Sequence, residues 1–423
     1  MRFLVLIVLI SISFSGRGQV TQSLAMKRFQ YLNFHSSLNN LVTIDEAGVK
    51  IFASAAAKKS GKPEISISWK MAKDFGGFVR IFGTDTMAKM YENGTLAKLL
   101  KDQRYGSERM IGDDGPLSGV SIALDPGHIA GDMETAKIER KFLEFRANDT
   151  TGLKENVNIA EGKLAWETAM ILKTALEKAG ATVFITRKKI EYTAFGMSYD
   201  DWLLKRKKTV LDSLKNINKL TAAEHKNLMA ADKEKFFRDF FKDHELARRI
   251  KTINKFDPDL SVIIHYNVDE KNVDWLKPGK KNFTMCFIGG GMTADNFKKA
   301  SYKINFLRLL LTEDLEKSEK IAGYTVQEFS KTLGIPIAKK SDATYLEESC
   351  NATGTAGVYC RNLALCRAIN SPLVYGECLY QDNFDECLML NKRDKVYCGI
   401  TTNERVKQVA DCYEKAILKY FAK

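Results

Sequence analysis

The sequence predicts an α/β fold whose central sheet is parallel. Residues 120–124 form an apolar run typical of a buried strand, and the tripeptide Asp-Pro-Gly that follows breaks it sharply. Helical periodicity over residues 159–179 ends at Gly180, and residues 182–186 have the composition of a second strand. A strand, a helix and a strand joined by a tight glycine turn form a βαβ unit, which implies that the two strands are parallel.

The chain begins with a pattern typical of exported proteins. Residues 1–19 combine a basic start, an apolar run too short to span a bilayer, and small residues suited to cleavage. We therefore expect residues 1–19 to be a signal peptide. No later stretch is long and apolar enough to be a transmembrane segment, so the mature protein is expected to be exported and soluble.

The net charge of +13 predicts attraction to anionic surfaces, such as wall polymers or acidic lipids. The basic residues are spread along the chain, and they form no arginine-rich block with interleaved aromatic residues. This distribution does not favour nucleic acid as a partner.

Residues 20–117 form an N-terminal region in which no motif indicates chemistry, so its role stays open. The turn at residues 113–116 marks a boundary, after which residues 118–423 form the second domain. The elements predicted before that boundary are strands at 49–52, 65–69 and 78–82 and a helix at 86–100.

Two of the five histidines, His128 and His265, each follow a buried apolar strand. A single histidine in such a place is more often structural, but neighbouring parallel strands would bring both rings to one edge of the sheet. Glu161 lies close to the inward face of the predicted helix 159–179, where a carboxylate is uncommon unless it is paired or binds a cation. Two imidazoles and one carboxylate are the protein ligands of an open catalytic zinc site.

Two segments near these residues are additions to a simple βαβ plan. Residues 129–158 are polar, and we predict a long loop or flap there. Residues 199–250 are highly charged and helical, and a capping box from Thr221 to Glu224 divides them into two helices. This helical insertion is either a solvated surface hairpin or a lid or docking arm over the site.

The last third of the chain contains the fourth candidate residue. Glu377 interrupts an apolar strand at residues 373–380, where burial should raise its pKa towards the range of a general base. The alternative is a buried structural glutamate paired with Arg361 or a lysine. The other elements predicted here are a strand at 283–288, a loop at 340–355, and helices at 363–369 and 406–421.

All eight cysteines lie between Cys286 and Cys412. Export permits disulfides, and six of these cysteines are close enough in sequence to pair locally, although the connectivity cannot be deduced. The alternative is that some of them are small buried hydrophobic residues. No CxxC motif is present, so a zinc ribbon or a thioredoxin-type site is not supported.

Four motifs occur together in an order that resembles the catalytic domain of zinc-dependent N-acetylmuramoyl-L-alanine amidases of the type 3 group. They are IALDPGH ending at His128, Glu161 with the helix that leads to GATVFITR, SVIIHYN around His265, and PLVYGE ending at Glu377. The resemblance covers residues 120–422. It implies a mixed, mostly parallel six-stranded sheet with helices on both faces.

The resemblance also implies a site and a reaction. His128, Glu161 and His265 would hold one Zn²⁺ per chain, Glu377 would be the catalytic carboxylate, and Asp125 and Asn267 would orient the histidines. The substrate would be peptidoglycan, cut at the amide between the lactyl group of N-acetylmuramic acid and L-alanine. The alternatives are a catalytically silent wall-binding or regulatory protein on the same scaffold and a zinc peptidase. The helical insertion could gate the site and require a protein activator.

Overall fold

The computed structural model describes residues 21–100, 115–148, 150–272 and 277–422. The predicted signal peptide lies outside these ranges. Within them, none of the helices combines the length and the apolar character that crossing a bilayer requires.

The N-terminal region forms a small antiparallel sheet with helices around it. Its strands pair in the order β1-β2-β3. The segment at 78–82 is not a strand as predicted, because Phe75, Phe78 and Val79 are spaced to share one buried face of a long helix. The elements are α1 (Gln22–Leu32), β1 (Val42–Asp45), β2 (Gly48–Ile51), α2 (Ala55–Lys59), β3 (Ile65–Ser68), α3 (Trp69–Ala72), α4 (Phe75–Glu92) and α5 (Leu96–Leu99).

The central sheet is mixed and has seven strands, one more than expected. Its strands are β4 (Ser121–Pro126), β7 (Thr182–Ile185), β8 (Leu260–Asn267), β9 (Met285–Gly289), β10 (Cys350–Ala352), β11 (Val358–Arg361) and β12 (Leu373–Tyr380). They lie in the order β10-β11-β9-β12-β8-β4-β7. The pairs β7–β4, β4–β8, β8–β12 and β9–β11 are parallel, whereas β9–β12 and β10–β11 are antiparallel.

The α/β fold with helices on both faces is confirmed. One face of the sheet is covered by α7 (Glu161–Lys178), α14 (Asp314–Leu333) and α18 (Glu404–Phe421). The other face is covered by α12 (Lys242–Phe256), α15 (Thr344–Ser349) and α16 (Ala364–Ala368). The alternation along β8 explains both layers, because Val262 and Ile264 enter one hydrophobic cluster and Ile263 enters the other.

The segment after His128 is not the predicted loop. It contains α6 (Met133–Glu139) and a hairpin of β5 (Phe142–Phe145) and β6 (Val157–Ala160). Asp132 caps α6 by accepting a hydrogen bond from the Thr135 amide, and Leu143 and Phe145 are buried in the main core. The prediction at 340–355 is also wrong, because α15 and β10 lie there. Each of these elements is too short to show a clear hydrophobic period.

The helical insertion has its own hydrophobic cluster, although most of its residues are exposed or half-buried. It comprises α8 (Tyr199–Lys205), α9 (Lys207–Asn216), α10 (Ala222–Ala230), α11 (Lys233–Phe236), a π-helical turn (Phe237–Phe241) and α12. The predicted capping box of Thr221 and Glu224 is present at α10. Trp202, Phe236 and Phe241 are buried together, and the cluster includes Ile129, which follows His128 directly.

The remaining elements complete the shell of the sheet. They are α13 (Ala300–Leu311), α17 (Phe384–Asn391), β13 (Lys395–Tyr397) and β14 (Ile400–Thr402). Helix α13 packs on α1 and α4, and the buried Arg28 pairs with Glu316 at 2.7 Å and donates to the Leu310 carbonyl. The N-terminal region therefore shares one continuous core with the rest of the chain.

All eight cysteines are free, and seven of them are buried. The local disulfides that export would permit are not formed. The buried cysteines act as small apolar side chains in the sheet and in the helices against it.

Replacing Gly376 with alanine should destabilise the protein by about 1–3 kcal/mol, the usual cost of overpacking a core. A methyl group at this position of β12 would lie 2.1 Å from the Tyr413 hydroxyl oxygen. The measurement is the free energy of unfolding in urea. The control is Gly76→Ala in α4, where the nearest atom lies at 3.5 Å. Equal stability of the two variants would contradict the packing argument.

Candidate active site

The two histidines meet at one edge of the sheet because β4 and β8 are adjacent and parallel. Their ring centroids are 4.7 Å apart, with the planes nearly perpendicular. Gly127 makes this approach possible, because a Cβ atom at that position would lie 2.4 Å from the His265 ring. The prediction that these two imidazoles converge is confirmed.

Glu161 completes a compact cluster with the two histidines. It is the first residue of α7 and its side chain is 3% exposed, at a helix end whose dipole favours a negative charge. Its Oε1 atom lies 3.1 Å from Nε2 of His128 and 3.0 Å from Nδ1 of His265. Gln381 Nε2 donates to the second oxygen of Glu161 at 3.3 Å.

The geometry of these three residues fits a zinc ion. One ligand atom from each lies within 4.8 Å of the others. Ligand atoms that are each about 2 Å from a common zinc ion must lie within about 4 Å of one another, so small adjustments suffice. Two nitrogens and one oxygen leave a fourth position open, as catalytic zinc sites require.

Glu377 lies beside this cluster on the neighbouring strand. In the parallel register of β12 and β8 it is directly opposite His265, and Tyr375, two residues before it, stacks on the His265 ring at 4.5 Å. The Oε2 atom of Glu377 is buried without a hydrogen-bond partner. Arg361 stacks on the rings of Phe287 and Tyr345. No ion pair between Arg361 and Glu377 is found in the described part of the chain.

Burial and neighbouring charges shift the pKa values of the four candidate residues in different directions. Burial, followed by the charge of Glu161, raises the pKa of Glu377 to about 8. Burial would lower the pKa of His128, but Glu161 and Glu139 outweigh it and raise that pKa to about 9. Burial lowers the pKa of His265 to about 4. Burial opposes ionisation of Glu161, yet His128 and His265 hold its pKa well below the usual range.

Two residues expected to orient the histidines do something else. Asp125 accepts hydrogen bonds from Thr186 and Arg249, and its described contacts include no imidazole. Asn267 donates to the Tyr345 hydroxyl at 2.9 Å. The expectation failed because both residues lie near the ends of their strands, where their side chains contact neighbouring elements instead of the imidazole rings.

Four residues that the sequence analysis did not assign to the site support the histidine turn and Glu161. Glu139 contacts the His128 ring, Gln381 contacts Glu161, and Arg187 and Arg249 bind backbone carbonyls of residues 126–129. Among these four residues, only Arg249 belongs to a recognisable sequence pattern. Its spacing of four residues from Glu245 predicts an ion pair on one helix, and this ion pair forms at 2.7 Å.

A cavity of about 200 Å³ opens against both imidazoles. Its lining includes Tyr375 of β12 and Lys141, which lies between α6 and β5. Phe237, Lys242 and Leu246 line it from the helical insertion. The insertion therefore forms one wall of the space through which a ligand would reach the histidines.

The family model for N-acetylmuramoyl-L-alanine amidase matches residues 122–397, which include all four candidate residues. The chain belongs to this amidase family. A search among curated proteins gives no match.

Several solved amidase structures are similar to this chain. The CwlD amidase from Clostridioides difficile, in complex with the GerS lipoprotein, is 16% identical with a TM-score of 0.38, covering 71% of this chain and 98% of that one. The amidase Ami1 from Mycobacterium smegmatis is 16% identical with a TM-score of 0.37, covering 72% and 98%. The catalytic domain of CwlV from Bacillus (Paenibacillus) polymyxa var. colistinus is 14% identical with a TM-score of 0.37, covering 72% and 99%.

The metal-free amidase should lose stability as the pH rises from 6 to 9. The pKa values of Glu377, about 8, and His128, about 9, lie above their unfolded values, so the folded state binds protons that it releases in this window. The lowered pKa of His265 affects the stability only between about pH 6.5 and pH 4, where the stability falls as the pH falls. The measurement is urea unfolding with a chelator present.

Glu377→Gln removes one of the two titrating groups, so its stability should decline less steeply over the same pH range. The exposed Glu348→Gln serves as the control and should follow the wild-type curve. A slope for Glu377→Gln that equals the wild-type slope would contradict the assigned environment of Glu377.

Proposed function

We propose that this amidase is a peptidoglycan hydrolase that cuts the amide between the lactyl group of N-acetylmuramic acid and L-alanine. The observation that carries the proposal is the convergence of His128, Glu161 and His265 beside the buried Glu377, at a cavity. In this proposal the first three residues hold one zinc ion. Membership in the amidase family supports the same reaction class.

Each residue has a defined task in the proposed mechanism. The chemistry that a bound zinc ion supplies at such a site is polarisation of the scissile carbonyl and a lower pKa for water. Glu377 accepts a proton from the attacking water and donates it to the nitrogen of the departing L-alanine. Burial raises its pKa in the metal-free protein, which favours a carboxyl group that can hold a proton, and its Oε2 atom has no competing hydrogen bond.

The charge of the protein is consistent with a substrate in the cell wall. Peptidoglycan carries carboxylates on its stem peptides. The net charge of +13, or +11 once Arg2 and Arg17 leave with the signal peptide (13 − 2), attracts such a polymer. Export through a signal peptide at residues 1–19 belongs to the proposal, and so does a periplasmic or secreted location at the wall.

The experiment that tests the function is digestion of purified sacculi by the zinc-loaded protein. We expect release of stem peptides with a free L-alanine amino terminus and an intact glycan. Peptides with other amino termini would instead indicate a zinc peptidase. Binding to sacculi without any release would indicate a wall-binding protein that does not catalyse.

Glu377→Gln should retain zinc and lose about 10²- to 10⁴-fold in turnover, because the variant keeps the shape but not the base. His128→Ala should lose both zinc and activity. The measurements are metal content and sacculus digestion. The control is His35→Ala, which removes an exposed histidine of the N-terminal region. Unreduced turnover in Glu377→Gln would refute its role as the base.

The helical insertion is proposed to restrict access to the site, since it supplies Phe237, Lys242 and Leu246 to the cavity wall. A protein activator that displaces the insertion would then increase turnover. Replacing residues 199–243 with a short glycine–serine linker removes Phe237 and Lys242 from the cavity wall and should raise basal activity on sacculi. Thermal unfolding verifies that the variant folds, and unchanged activity in a folded variant would contradict the gating role.

A further inference from the structure

Glu139 is a buried carboxylate directly beside a candidate metal ligand. It is the last residue of α6, and its side chain is 7% exposed. One oxygen, Oε1, lies 3.0 Å from Nδ1 of His128. The other, Oε2, accepts the backbone N–H groups of Ile129 at 3.1 Å and Ala130 at 3.3 Å. All three described hydrogen bonds of this carboxylate therefore go to the turn at residues 128–130.

The backbone at this turn needs such support. His128 has φ of 60°, a left-handed conformation that is uncommon for residues other than glycine. Residues held in sparsely populated backbone regions persist only when the surrounding structure fixes them. Glu139 binds the two N–H groups that follow His128, and Arg249 donates to the His128 carbonyl at 2.6 Å. The turn is thus held from both sides.

We propose that Glu139 is a positioning residue that fixes the tautomer and the ring orientation of His128. The inference rests on the proposed function, because it assumes that His128 binds a metal ion. A hydrogen on Nδ1 that is donated to Glu139 leaves the lone pair on Nε2. Nε2 is the atom that faces Glu161, at 3.1 Å. A carboxylate that accepts the other ring N–H of a metal-binding histidine also strengthens that histidine as a ligand.

Glu139 belongs to the segment between His128 and Glu161, so its proposed role depends on the fold of that segment. Helix α6 brings Glu139 to the Nδ1 edge of the His128 ring, and the Lys141 carbonyl accepts the Glu161 amide at 3.2 Å. The same segment therefore contacts two of the three candidate ligands. Asp125, the carboxylate nearest to His128 in the sequence motif, is engaged by Thr186 and Arg249.

The test is the zinc affinity of Glu139→Gln and Glu139→Ala, measured by competition with a chromogenic chelator. Glutamine nearly preserves the shape, but an amide cannot accept from Nδ1 and from two backbone N–H groups without turning its own N–H₂ group towards a donor. We expect the zinc dissociation constant to rise about 10- to 100-fold, the usual effect of losing such a partner. The control is Glu134→Gln, an exposed residue on the same helix.

Two further measurements separate positioning from a purely structural role. The visible spectrum of the Co²⁺-substituted protein should change in Glu139→Gln and not in Glu134→Gln. Any loss of metal-free stability in Glu139→Gln should be smaller than its loss of zinc-binding free energy. Wild-type zinc affinity in both Glu139 variants would overturn the inference. A loss of metal-free stability that accounts for the whole loss of affinity would overturn it as well.

These readouts do not depend on turnover. If the wild-type protein bound zinc and released nothing from sacculi, the proposed function would fail while the role of Glu139 could still be judged.

Discussion

The site depends on two buried arginines that hold the backbone of the turn carrying His128. Arg187 donates to the carbonyls of Pro126, Gly127 and Ile129, and Arg249 donates to those of Pro126 and His128. Unpaired buried carbonyls would cost free energy at each of these residues. The two guanidinium groups together satisfy the carbonyls of four successive residues, 126–129. The first histidine is therefore fixed before any ligand arrives.

A second constraint is the balance of charge in a small buried volume. Glu139, Glu161 and Glu377 surround His128, and three ionised carboxylates so close together would repel one another. The structure resolves this by raising the pKa of His128 and of Glu377, so that protons partly compensate the negative charge. The same arrangement suits a divalent cation, because a cation would compensate the negative charge in place of those protons.

The two segments added to the central sheet, α6 to β6 and the helical insertion, both lie beside the site. The segment from α6 to β6 places Glu139 beside Nδ1 of His128, and the helical insertion contributes one wall of the cavity. The two additions touch each other, since Arg140 pairs with Glu234 of α11 at 2.6 Å. The N-terminal region, in contrast, packs on α13 through the main core.

The sequence by itself determined the α/β class, the strand that leads to His128, the strand that carries His265, and the helix that carries Glu161. These features follow from local periodicity, turn residues and the spacing of apolar runs, all of which involve residues close together in the sequence. Only the tertiary structure decided that Glu139 and not Asp125 supports His128, that the segment 129–158 folds, and that a seventh strand joins the sheet. Each of these outcomes depends on contacts between residues far apart in the chain or on elements too short to show a period. The four candidate residues were found early because buried polar groups stand out in apolar runs, whereas the arginines and Glu139 that hold them look like ordinary charged residues until the chain is folded.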